Sequence, residues 1–99
     1  MTENLQELKS CIEQYVSYYL ELQAMVIVLQ RTIEALPRGT STRRELKLQV
    51  DSYKAQMESC KDFMNGVRHT LNKAKADKKL TKEDHKRLIK PIIHHVYFN

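Results

Sequence analysis

Two cysteines, four histidines and a lysine-rich stretch toward the C-terminus are the side chains of this 99-residue sequence whose types could do chemistry. A structural zinc site draws its Cys and His ligands in closely spaced pairs. No CxxC or HxxxH spacing occurs here, and His94 and His95 are adjacent, so they diverge on a helix. Nucleophilic catalysis needs a thiol or hydroxyl beside a base, and His69 and His85 have no nucleophile at matched spacing. With only two glycines there is no phosphate-cradling loop, and no paired carboxylates stand in an apolar setting. The expectation is a chain without enzymatic activity, resident metal, cofactor or small-molecule substrate.

The basic stretch is the stronger chemical signal. Residues 1–36 carry two basic and five acidic side chains, residues 37–72 seven and four, and residues 73–99 eight and three. The net charge of +5 is therefore concentrated in the last third. Lys78, Lys79, Lys82, Lys86, Arg87 and Lys90 form a cluster of the kind that neutralises phosphates of nucleic acid or of an anionic surface. The plainer reading is a solvated helix end, with Glu3 and Glu7 pairing with Lys73, Lys75 and Lys78 across an antiparallel fold. Arg38, Arg43 and Arg44 fall at the other end of such a fold, about 50 Å away at 1.5 Å per residue, so one compact footprint would not use both clusters.

Long helices must position these groups. Leu5, Leu8, Ile12, Tyr15, Tyr19, Leu22, Val26, Leu29, Ile33 and Leu36 recur at alternating steps of three and four. Leu46, Val50, Tyr53, Met57, Cys60, Met64, Val67, Leu71 and Ala74 repeat the pattern, which is the seam of a coiled coil. The short segment Pro37 to Ser41 between them forces antiparallel neighbours. The predicted fold is all-α: one helical domain over 1–99, an antiparallel two-helix coiled-coil hairpin with a short third helix and an apolar tail. Helices are expected at about 3–36, 42–78 and 82–90, with a tail over 91–99. Thr42-Arg43-Arg44-Glu45 reads as a capping box and Thr81 as an N-cap. Phase is kept across Asn65-Gly66, so the second helix should run through, whereas Pro91 should end or kink the third near Lys90.

Facing the two seams pairs residues whose numbers total about 81, which sets Tyr18 against Phe63. Cys11, Tyr18 and Met25 then widen one apolar edge, while Lys47, Lys54, Lys61 and Arg68 line the other. The third helix, through Leu88, Ile89 and Ile92, is expected to cover the apolar edge near Cys11 and Tyr18, and Tyr15, Tyr18 and Tyr19 to form a bulky core layer. That helix is too short to reach the loop end. From Leu20 to Leu29 the first helix is apolar on nearly every side, and a helix apolar all round needs more than one neighbour.

The function expected from this is non-enzymatic: a protein-binding, oligomerisation module that joins a homo- or hetero-oligomer of helices within a larger complex. Leu20, Ala24, Met25, Ile27, Val28, Ile92, Ile93 and Tyr97 are its expected partner-binding residues, and the partner is this chain itself or another helical protein. Two other readings stand beside it: a nucleic-acid-associated module using residues 73–90, and a small chaperone holding a client on the apolar face. In layout the chain is similar to small hairpin subunits of kinetochore, chaperone and secretion assemblies, a likeness resting on heptads alone. The longest apolar run, Ala24 to Leu29, is far below the ~20 residues a membrane span requires. Two unpaired cysteines and an opening without a secretion-signal pattern lead to an expected intracellular location, cytoplasmic or nuclear.

Overall fold

A computed structural model describes residues 3–96. The chain forms three helices, α1 Glu3–Ala35, α2 Ser41–Ala76 and α3 Lys82–His95, and no strand among the described residues. α1 and α2 are antiparallel neighbours in a rod measuring 58 × 21 × 17 Å, and α3 packs against both. We call the end with the α1–α2 loop the tip and the end with the α2–α3 turn the base.

Each boundary has a local cause. α1 stops ahead of Pro37, which disfavours helical backbone in the residue before it. Gly39 turns the loop at φ +83°, a conformation that side-chain-bearing residues resist. The N-cap of α2 is Thr40, not the expected Thr42: its Oγ1 accepts from Arg43 N at 3.3 Å and donates to Pro37 O at 3.1 Å. Thr40 sits at the extended φ/ψ a cap needs, and Thr42 is already inside the helix. α2 runs unbroken through Gly66 because seam burial at Met64 and Leu71 holds it on both sides.

At the base, Lys79 N bonds to Ala74 O at 2.9 Å and Lys78 N to Lys75 O at 3.1 Å. This is a Schellman closure with Lys78 at φ 59°, the position usually given to glycine. Thr81 then caps α3, accepting from Asp84 N at 3.1 Å, with Glu83 and Asp84 in the first turn.

The third helix departs from expectation at its end. It continues through Pro91 to His95 rather than stopping at Lys90. Burial explains this: Ile92 and Val96 lie one turn apart beyond the proline and both are core residues, which outweighs the one backbone donor that proline removes.

Two cores of unequal size result. The base core joins Ile12, Val16, Tyr19 and Leu22 of α1, Cys60, Met64 and Leu71 of α2, and Leu88, Ile92 and Val96 beyond the turn. The tip core has only Val26, Ile33 and Val50 buried, edged by half-buried Leu29, Leu46, Tyr53 and Met57. From Met25 to the loop the described residues are two helices thick, with no third layer among them.

Candidate interaction surface

The register differs slightly from the pairing expected. Tyr15 and Phe63 stack with ring centroids 4.4 Å apart and planes 22° from parallel, and Tyr18 Oη donates to Gln56 Oε1 at 2.7 Å. Tyr18 does not stack on Phe63; Tyr15 does, because the two helices pair in a register a few residues lower in total than the seam alone implies. Of the three tyrosines expected to form a core layer, only Tyr19 is buried. Tyr15 and Tyr18 lie with Phe63 on an open flank.

The position of α3 is the main correction. Pro91, His94 and His95 lie beside Glu13, Val16, Ser17 and Leu20, and His85 Nε2 donates to Asn72 Oδ1 at 2.7 Å. These partners stand on the flank that also carries Lys47 and Lys54. α3 therefore covers the basic edge, and the apolar edge of Cys11, Tyr18 and Met25 is exposed. An a/d seam has two equivalent flanks, so the heptads cannot choose between them. The turn through Lys78 does, and Val16 and Leu20 give α3 an apolar landing while Asn72 bonds to His85.

The expected partner-binding residues divide accordingly. Ala24, Met25, Ile27 and Val28 are exposed, Ile27 by 45 % and Val28 by 61 %. Leu20 is half-buried against the base core, under the end of α3. Ile92 is fully buried and is a core residue, so its assignment to a partner surface is withdrawn; its neighbour Ile93 is 58 % exposed. Tyr97 lies outside the described residues. The open flank carries Tyr15, Tyr18 and Phe63, which the heptad reading assigned to the interior or to α3. For Tyr18 and Phe63 the signal in the sequence was the charge-poor row of g and c positions on which both stand.

The basic cluster is solvent-facing. Lys78, Lys79, Lys82, Lys86, Arg87 and Lys90 are all exposed, with Lys82, Lys86 and Lys90 at four-residue steps on one side of α3. The expected pairing of Glu7 with Lys73, Lys75 or Lys78 is not formed; the ion pair Lys9–Glu13, at 3.7 Å, lies within α1. Burial lowers the pKa of His85, and Lys75 nearby adds to the effect. Cys60 is buried in the base core, which raises its thiol pKa, whereas Cys11 is exposed, and both are free thiols.

Among the described residues no group of three His, Cys, Asp or Glu side chains could hold a metal ion, and no helix is long and apolar enough to cross a membrane. Comparison with protein-family models, with curated proteins and with solved structures finds no match. What this chain does must be argued from its own surface.

Proposed function

We propose that this chain is an assembly module: a helical hairpin, buttressed at its base by α3, that joins other helices through the apolar girdle of its bare half. The observation that carries this reading is that the described residues supply no third layer over the tip half. Ala24, Met25, Ile27 and Val28 surround a two-helix segment whose core is three buried residues. Isolated helices take most of their stability from packing, and a pair this thin gains from a further neighbour. Burying Met25 and Val28 contributes roughly 25 cal/mol for each Å² removed from water, so the two side chains together supply a few kcal/mol.

The test is the size of the native species. In extracts of cells that make it, the wild-type chain should run in a complex larger than its own 11.7 kDa. The double variant Met25→Lys, Val28→Lys should run free with unchanged helix content. A wild-type chain that runs free and single in extract and after purification overturns the proposal.

One observation favours a second reading, a nucleic-acid-associated module. The row Lys82, Lys86 and Lys90, with Arg87 beside it, is exposed on the outer face of α3. Binding through it would weaken steeply with salt, the slope in log–log form falling by about one for each lysine removed. Affinity for duplex DNA that is flat in salt, or unchanged in Lys82→Glu/Lys86→Glu/Lys90→Glu, removes this reading.

A further inference from the structure

The two flanks of the hairpin differ in charge far more than in shape. With the seam residues as a and d, the e and b positions of α2 carry eight charged residues in ten, including Lys47, Lys54, Lys61 and Arg68. The g and c positions of α2 carry two in ten, Glu45 and Lys73, and the rest are Thr, Gln, Ser, Gly and Phe. The g and c positions of α1 likewise carry only Glu7 and Glu21. In a chain that is 29 % charged, a charge-poor stripe running along both helices on one side has the composition of a surface that a partner covers. It is the flank that α3 leaves open, and along it stand Tyr15 stacked on Phe63, Tyr18, and the Met25–Val28 edge beside Gln49 and Tyr53.

Resting on the assembly reading, we propose that this flank docks a second copy of the chain, antiparallel, closing a four-helix bundle. The dimensions permit it: a flank 58 Å long and 17–21 Å across offers on the order of 1,000 Å², above the ~800 Å² per partner of a stable interface. The charges favour it. Ser59 lies level with Tyr18, as the Tyr15–Phe63 and Tyr18–Gln56 contacts require. Glu45 and Lys73 stand at equal sequence distances on either side of Ser59. An antiparallel copy centred at Tyr18 and Ser59 therefore brings Lys73 of each chain to Glu45 of the other, twice by symmetry. A parallel copy would instead place both basic segments, Lys73 to Lys90, at one end. The bundle also supplies the layer that the tip half lacks, from the Met25 and Val28 side.

Ile27 distinguishes this arrangement from a general girdle. It shares the b position with Leu20 and Glu34, which line the flank of α3 and of Lys47, so the bundle leaves it in solvent. Light scattering on the purified chain should give about twice 11.7 kDa. Val28→Lys should weaken dimerisation by at least ~100-fold, because it buries an unpaired charge, while Ile27→Lys leaves the dimer intact. In a Cys11→Ser background, Ser59→Cys should form an intermolecular disulfide rapidly and Glu45→Cys should not. A purified chain monomeric at millimolar concentration overturns the proposal, as does dissociation by Ile27→Lys or cross-linking by Glu45→Cys in place of Ser59→Cys. A purified monomer that runs in a large complex in extract overturns the second copy and leaves the assembly reading standing.

Discussion

Ile92→Ala tests the placement of α3. Ile92 is fully buried in the base core, two residues from His94 and one beyond a proline, in a segment whose sequence suggests a loose tail. Truncating it removes apolar contact with α1 and α2 at once and leaves a cavity between three helices. Isoleucine-to-alanine changes in such sites cost about 2–5 kcal/mol, transfer and cavity terms together. For a domain of this size each kcal/mol moves Tm by roughly 4–8 °C, so the variant should melt at least ~8 °C below wild type. The control is adjacent: Ile93, 58 % exposed, should cost no more than about 0.5 kcal/mol when changed to Ala. Urea titrations of both variants, followed by circular dichroism at one protein concentration, provide the comparison. Equal costs for Ile92→Ala and Ile93→Ala, or a loss under about 1 kcal/mol at Ile92, would refute the docking of α3 and return residues 91–96 to the surface.

Other expectations follow from single sites. Lys78→Gly should raise stability by about 0.5–1 kcal/mol in a urea titration, since Lys78 holds the left-handed φ of 59° that glycine adopts freely. Gly66→Ala should also stabilise the isolated hairpin, by up to about 1 kcal/mol, because the added methyl meets nothing within 4 Å and helical φ/ψ suits alanine. The lowered pKa of His85 means that the unfolded chain binds its proton more tightly than the folded one. Stability should therefore fall as pH drops through ~6.5 toward the folded-state value and level off below it, and His85→Asn should flatten that segment of the profile measured by urea midpoints. In the chain diluted to monomer, Cys11 should react with a thiol reagent rapidly and Cys60 only on unfolding; equal rates there would contradict the burial of Cys60.

The elements of this protein were legible because their causes are local. Seam periodicity, Pro37 and Thr81 act within a turn or two of the backbone they control, so three helices and an antiparallel hairpin follow from the letters alone. The apolar girdle of Ala24 to Val28 was legible for the same reason, since a helix without a polar side must find neighbours. What the letters did not decide was choice among locally equivalent options. Thr40 and Thr42 could both cap, and the loop geometry selected Thr40. Pro91 signals a break, and burial of Ile92 and Val96 three helices deep overrode it. Above all, a heptad seam presents two flanks of equal claim on α3, and only the turn at Lys78, with the landing patch of Val16 and Leu20, assigned α3 to the basic side. That tertiary choice moved Tyr15 and Tyr18 from core to surface and left the charge-poor flank, with Phe63 on it, open.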